Sequence, residues 1–247
     1  MEDMLTVPFD YLHQWTGLPW WGTLVGVGFV LRLFLAPLQV RQLRHSLESS
    51  KLLLTLDKIQ KESIPVEPQD LDKARYRMLD LAKMNFRSIF KITFFQMAAF
   101  FGVLRLSHVE PLKTQLKTGG YSWFTDLTAV DPTYRLALGA SLLIMCTIYW
   151  PFIASRRPPT RLIATLALIL PVIGIAVSTQ FPASWLVYMC GTALYSFVAA
   201  VVLSVPSVRK RLDLPPHFVE PDLSLFKSVS QAQVDMKEIK NETPKTP

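Results

Sequence analysis

The sequence predicts an all-α integral membrane protein with five transmembrane helices, and three observations carry that prediction. Five apolar blocks alternate with charged connectors, so a chain that is 50% hydrophobic still holds 26 Lys and Arg. Each block comes close to the length that crosses a hydrocarbon layer. The cations collect in alternate connectors, as the positive-inside rule requires. A soluble domain would instead mix apolar and charged residues at helix or strand spacing.

The first block runs from about Trp20 to Val40, which reaches roughly 30 Å at 1.5 Å per residue. Trp15, Trp20 and Trp21 stand at its start, where an interfacial aromatic belt is expected. Residues 1–19 therefore read as an N-terminal interfacial segment. Gly22 and Gly26 form a small-xxx-small pair that lets helices approach closely. A polar stretch follows, about Arg41 to Lys91, broken at Pro65 and Pro68. Leu43, Leu47 and Leu54 before the break, and Leu71, Ala74, Met78 and Leu81 after it, repeat at helical spacing. The stretch is predicted to be a helical hairpin outside the bilayer, either a solvated linker or a working surface.

The second span is predicted at about Ile92 to His108, with Lys91 and Arg105 snorkelling toward the two interfaces. A connector with Gly119-Gly120 and several aromatics leads to the third span, about Tyr134 to Ile153. A basic turn, Arg156-Arg157-Pro158-Pro159-Thr160-Arg161, precedes the fourth span, about Leu162 to Val177, which Pro171 is expected to kink. The fifth span is about Trp185 to Val205. Residues 20–205 thus form the core, with the hairpin at 41–91. Residues 206–247 form a polar tail, expected to be flexible beyond about Asp213.

Lys and Arg fix the orientation. The hairpin holds eleven, the basic turn three and the tail seven, whereas the opposite side has only Lys113, Lys117, Arg105 and Arg135. The hairpin, basic turn and tail are therefore expected on the matrix or cytosolic side. The net charge of +7 is explained by orientation, and no run interleaves basic and aromatic residues as a nucleic-acid surface would. Met1 to Asp10 is acidic and lacks Arg, unlike a basic presequence. Either a presequence lies outside this sequence or targeting is internal.

Arg32 is the residue that asks for an explanation. It falls near the middle of the first span, where an arginine costs at least ~2.5 kcal/mol on insertion scales. Every Asp and Glu lies in a connector, the N-terminal segment or the tail, so no span offers a counter-ion. Arg32 is left to water, backbone carbonyls, neutral side chains, lipid phosphate or a visiting ligand. The candidate neutral neighbours are Gln96 in the second span and Tyr188, Thr192 and Ser196 in the fifth. A water-filled groove would satisfy it; so would a tilted helix that lets it reach lipid headgroups.

Enzymatic chemistry is not expected. The chain has no P-loop, no GxGxxG and no HExxH. His13, His45, His108 and His217 are scattered, and no metal or cofactor set forms among them. Cys146 and Cys190 lie inside apolar blocks and read as packed thiols. Gly119-Gly120 has no Lys-Ser/Thr after it and reads as a turn.

Several segments together resemble one family. Leu18-Pro19-Trp20-Trp21-Gly22, then Leu31-Arg32-Leu33 and Pro37-Leu38, is similar to the first core helix of YidC/Oxa/Alb-type insertases. Phe95-Gln96-Met97 with Leu104-Arg105 resembles their second helix. Thr118-Gly119-Gly120, Trp123-Phe124-Thr125-Asp126-Leu127-Thr128 and Asp131-Pro132 resemble the connector before the third. Phe181-Pro182-Ala183 and Val187-Tyr188 resemble the start of the fifth, and Val205-Pro206-Ser207-Val208-Arg209 its end. The ordered set covers about residues 12 to 216.

The resemblance implies five helices around a hydrophilic groove, open to the matrix or cytosol and to lipid, with the family's groove arginine at Arg32. It implies a membrane protein insertase that needs no nucleotide at the groove. Arg32 would attract acidic residues of a short crossing segment, and apolar helices would slide along the first, third and fifth spans. The hairpin would receive the substrate or its delivery partner. The partners would be newly made membrane proteins and the bilayer, with a mitochondrial ribosome or assembly factors as further candidates. The expected location is the mitochondrial inner membrane, with the N-terminus in the intermembrane space and the C-terminus in the matrix.

There are departures from the family pattern. Met189 stands where Trp is frequent, Ala193 where Asn is common, a Pro before the second span is missing, and the turn between spans three and four is short. After Leu212 the tail has four Lys against six acidic residues, a poor ribosome anchor by charge. That favours the family branch that supports cytochrome c oxidase assembly. Two other readings stay open: a non-inserting assembly factor and a small-solute transporter. The absence of an internal repeat argues against the transporter.

Overall fold

The computed structural model describes residues 6–61, 68–110, 112–156, 158–159, 161–178 and 180–214. The expected turn around Pro65, Arg157 and Thr160 of the basic turn, Thr179, and the tail from residue 215 lie outside these. The described residues are helical, with one isolated bridge between Tyr121 and Phe124. They divide into two compact units: residues 1–37 with 91–209, and 38–90 with 210–247.

In the first unit, α1 (Val7–Thr16) begins with Pro8 at its first positions and ends at Gly17, whose φ of 63° is the left-handed value glycine adopts freely. Pro19 then enters α2 (Trp20–Phe34) in an extended conformation. This Gly-Leu-Pro corner turns the two helix axes by 113°. His13 stacks on Trp20 across the corner at 4.1 Å, and the Thr23 hydroxyl lies 3.4 Å from its Nδ1. His13 thus fills the inside of the bend.

The first apolar block does not form one helix to Val40. It breaks at Leu35, and α3 (Ala36–Lys61) starts beyond it. Pro37 has no N–H to return to the Leu33 carbonyl, which accounts for the break. At 15 residues, α2 is about 22 Å long. The second apolar block differs in the opposite sense. One helix, α4 (Pro68–Leu106), runs 39 residues without interruption, because after Pro68 it contains no proline and its single glycine, Gly102, falls near its end. The change from polar to apolar composition near Lys91 alters its surroundings and leaves its backbone continuous.

After a short helix, α5 (Leu112–Leu116), come α6 (Arg135–Ser155), α7 (Arg161–Ser178), α8 (Ala183–Ser204) and α9 (Pro206–Arg211). Among the described residues α4, α6 and α8 are long and apolar enough to cross a membrane, and the bent pair α1–α2 counts as a fourth. The sequence predicted five. Helix α7 is apolar but shorter.

Helix α8 is the centre of the first unit. It packs against α2 on one side and α6 on another, and α6 packs against α7. Glycines permit these contacts. A Cβ on Gly28 of α2 would lie 2.6 Å from the Tyr188 carbonyl oxygen, and one on Gly191 of α8 would collide with the Val25 carbonyl. A Cβ on Gly174 of α7 would strike the Ser141 hydroxyl of α6. In lipid, where apolar burial offers little drive, such close backbone approach supplies the van der Waals contact that holds helices together.

The connector between α4 and α6 completes one end of the unit by capping helices. Trp21 N–H at the start of α2 donates to the Gly119 carbonyl at 3.1 Å. Ala183 and Ser184 at the start of α8 donate to the Ala129 and Leu127 carbonyls at 2.7 and 2.9 Å. The buried Asp131 carboxylate accepts from Thr133 N–H at 2.9 Å and from Leu136 N–H at 3.0 Å, at the start of α6. These are the orphan donors of helix N-termini, which in an apolar surrounding must find partners. Gly119-Gly120 is the turn that makes the fit possible: a Cβ on Gly119 would press on Trp20, and one on Gly120 would collide with the Phe124 carbonyl.

In the second unit, Leu52 and Ile59 of α3 and Ala74 of α4 form a small core with Leu56, Leu71 and Met78 around it.

Gly191→Ala is expected to lower stability by about 1–3 kcal/mol, as overpacking does. Gly139→Ala in α6, whose Cβ would meet nothing within 4 Å, should be neutral or stabilising by up to about 1 kcal/mol. Thermal unfolding of both variants in detergent micelles checks the contrast; equal shifts would refute the close-packing role of Gly191.

Candidate functional site

The site is built where α2 meets α8. Gly28 seats α2 on the backbone of residues 188 to 192, and Arg32 follows one turn later on α2. Its guanidinium lies within electrostatic reach of the Tyr188 and Tyr195 hydroxyls. Its Nε is buried without a hydrogen-bond partner, and Arg32 makes no ion pair among the described residues. The ion pairs Lys61–Asp57, Lys73–Asp70 and Arg75–Asp72 all belong to α3 and α4 of the second unit.

The predicted neighbours differ from one another. Tyr188 is 1% exposed, and its hydroxyl is buried with no partner, facing the same region as Arg32. Thr192 is buried beside Gly28, but its hydroxyl donates to the Met189 carbonyl at 2.9 Å. Ser196 is half-buried, and its hydroxyl donates to the Thr192 carbonyl at 2.9 Å. Both keep lone pairs with which to accept from a guanidinium, a water or a ligand. Gln96 is half-buried on α4 and makes no hydrogen bond to Arg32 or Tyr188 among the described residues.

Tyr195 was missed from the sequence. It is buried, its ring meets Phe29 edge-on at 5.5 Å, and its hydroxyl reaches the Arg32 field. The signal was present, since Tyr188, Thr192 and Tyr195 follow at helical spacing on α8. Choosing among them required knowing which face of α8 meets α2.

A second feature was not foreseen. A cavity of about 690 Å³ lies against a different face of α2. Phe9 and Leu12 of α1, Gly26, Val27 and Val30 of α2, and Ala98 of α4 are among its mostly apolar lining. Gly26 opens onto empty space there, with nothing within 4 Å of a Cβ. The chain thus presents a cation among neutral hydroxyls on one side of α2 and an apolar hollow on another. No group of three or more His, Cys, Asp and Glu that could hold a metal occurs among the described residues. The arrangement can attract and solvate an anionic group.

Sequence comparison supplies relatives. The family model described as "60Kd inner membrane protein" matches residues 11–209. The chain is 25% identical over 228 residues to "Mitochondrial inner membrane protein OXA1L" of Mus musculus, covering 86% of this chain and 52% of that protein. It is 24% identical over 241 residues to "Mitochondrial inner membrane protein OXA1" of Arabidopsis thaliana, covering 90% and 55%. It is 24% identical over 227 residues to the OXA1 protein of Saccharomyces cerevisiae, covering 86% and 54%. The chain spans about half the length of these curated relatives.

Tyr188→Phe removes a hydroxyl that has no protein partner. Thermal stability in micelles should stay unchanged or rise by roughly 1 kcal/mol. Tyr188→Ala, which empties the ring's space, should cost about 3–5 kcal/mol. A Phe variant as unstable as the Ala variant would show that the hydroxyl is satisfied within the protein.

Proposed function

The chain belongs to the 60Kd inner membrane protein family, the YidC/Oxa group of membrane insertases, and from that premise we propose that it inserts newly made proteins into the mitochondrial inner membrane from the matrix side. Arg32, unpaired between α2 and α8, is the observation that supports this reading best. In this proposal α2, α4, α6, α7 and α8 are the five spans around a hydrophilic groove, with α2 and α7 as short ones. Tyr188, Thr192, Ser196 and Gln96 line the groove with Arg32, and Tyr195 joins them.

The mechanism follows from charge and dielectric. A short substrate segment carrying Asp or Glu meets a high barrier in hydrocarbon. A fixed cation held among hydroxyls offsets part of that cost while the segment passes. Because the cation has no carboxylate partner among the described residues, its field is available to the substrate. The apolar cavity beside α2 gives the substrate's hydrophobic segment a surface close to the charged one. No bond is made or broken, so the step is transfer and not catalysis.

The same proposal places the N-terminus in the intermembrane space and the cation-rich α3–α4 pair and tail in the matrix, on the Lys and Arg distribution. The substrates would include subunits of respiratory complexes, cytochrome c oxidase among them. Assembly factors fit as partners better than a ribosome, given the acidic balance after Leu212. A non-inserting assembly factor is the second reading. It is favoured by Met189 and Ala193 on α8 and by the Thr192 and Ser196 hydroxyls, which already donate to their own helix.

Replacing Arg32 separates the two. In organelles carrying Arg32→Ala or Arg32→Lys, insertion of a mitochondrially encoded subunit is scored by protease protection at equal protein levels. Ala is expected to reduce insertion of a substrate with an acidic translocated segment at least about tenfold, the loss of ~1.4 kcal/mol or more. Lys should retain much of it. Normal insertion by both variants would leave the assembly-factor reading.

A further inference from the structure

The corner at Gly17 lays α1 across the end of α2 at 113°, and a hollow lies between them. On α1 and the corner, Val7, Tyr11, Trp15 and Leu18 repeat at helical spacing and are all exposed. Asp10 and His13 fall on another side of the helix. An apolar stripe of this kind suits a helix that lies in a membrane interface. Beside the stripe, Pro8 and Leu12 line the cavity of about 690 Å³ that α1 shares with α2 and α4. Direct packing joins α2 to α8; between α2 and α4 this cavity stands instead.

Three features define what the cavity can hold. First, no charged side chain lines it among the described residues. Its two threonines are turned back on their own chain. Thr16 donates to the Leu12 carbonyl at 2.7 Å, and the Thr23 hydroxyl lies 3.4 Å from the Leu18 and Pro19 carbonyls. Ordered water needs several polar partners and is a poor occupant of such a space. Second, the mouth is apolar. Trp15, Leu18, Val30, Phe34 and Phe95 line the cavity and are also exposed. Third, the space is short for a helix. A helix 10–12 Å wide fills about 400–600 Å³ per turn, so little more than one turn would enter.

We propose that this cavity binds one acyl chain of a membrane phospholipid. The chain enters through the apolar mouth, its headgroup stays outside, and it completes the packing of α1 against α2 and α4. A hydrocarbon chain is narrower than a helix and bends to follow an irregular hollow. Gly26 makes room for it, since a Cβ there would meet nothing within 4 Å. Recognition is of hydrocarbon alone and does not depend on headgroup charge. This goes beyond the insertion reading and does not rest on it. With the chain in place, the surface offered to a hydrophobic substrate segment is partly lipid.

The test uses the full chain in phosphatidylcholine nanodiscs doped with phosphatidylcholine that carries a diazirine in mid-chain. After irradiation, mass spectrometry locates the labelled residues. Leu168 and Val172 of α7, 76% and 66% exposed, report ordinary surrounding lipid. Leu12, Val27 and Ala98 line the cavity and are only half-buried to the outside, yet they are expected to label at least as strongly as the α7 pair. Gly26→Phe, which fills the cavity, should cut their labelling at least about tenfold, what two buried methylenes are worth. Labelling of α7 should not change. A diazirine on the headgroup should label none of the three. Thermal unfolding of Gly26→Phe in the same nanodiscs shows whether the helices keep their packing; if its midpoint falls, Gly26→Leu takes its place. Unlabelled cavity residues beside a labelled α7, labelling indifferent to the filled cavity, or capture of the headgroup probe would each overturn the proposal. The readout is lipid labelling, so its failure would leave the insertion proposal standing.

Discussion

The approach of α2 to α8 is the constraint on which the rest of the first unit depends. Two glycines set it from opposite sides, Gly28 against the Tyr188 carbonyl and Gly191 against the Val25 carbonyl. A side chain at either position would push the backbones apart. With both absent, α8 becomes a buried centre on which α2 and α6 pack. In a membrane this matters more than in water. Lipid competes with any apolar side chain for contact, so shape fit carries a larger share of the association.

That contact also makes Arg32 informative. One turn beyond Gly28, it lies within electrostatic reach of the Tyr188 and Tyr195 hydroxyls and makes no ion pair among the described residues. A carboxylate partner would neutralise the cation and spend its field inside the protein. Hydroxyls solvate a guanidinium only in part. On the proposed function, the charge remains usable by a passing anion. Tyr188 shows the same economy, with a fully buried ring and a hydroxyl left without a protein acceptor.

The connector from Ser107 to Tyr134 does a different job. It has little regular structure, yet it satisfies the first N–H groups of α2 and α8, and its Asp131 those at the start of α6. Helix N-termini concentrate partial positive charge and unpaired donors. Joining three of them with carbonyls and one carboxylate closes that end. The buried hydroxyl contact between Ser107 and Ser184 at 3.1 Å belongs to the same seam.

Much was legible in the sequence, because bilayer physics acts on composition directly. Apolar length, the interfacial tryptophans and the segregated cations gave the helical class and the ends of α6, α7 and α8 to within a few residues. The absence of any intramembrane acid singled out Arg32 before its surroundings were known. What the sequence could not decide was set by backbone continuity and by helix faces. Composition suggested a boundary near Lys91, but with no breaker there α4 runs on as one helix. Composition likewise joined Trp20 to Val40, where the missing N–H of Pro37 divides them. The Gly28–Gly191 contact fixes which face of α8 is turned to α2, and so brings Tyr195 within electrostatic reach of Arg32. Burial in lipid is written one residue at a time. The pairing of faces arises only when two helices are packed together.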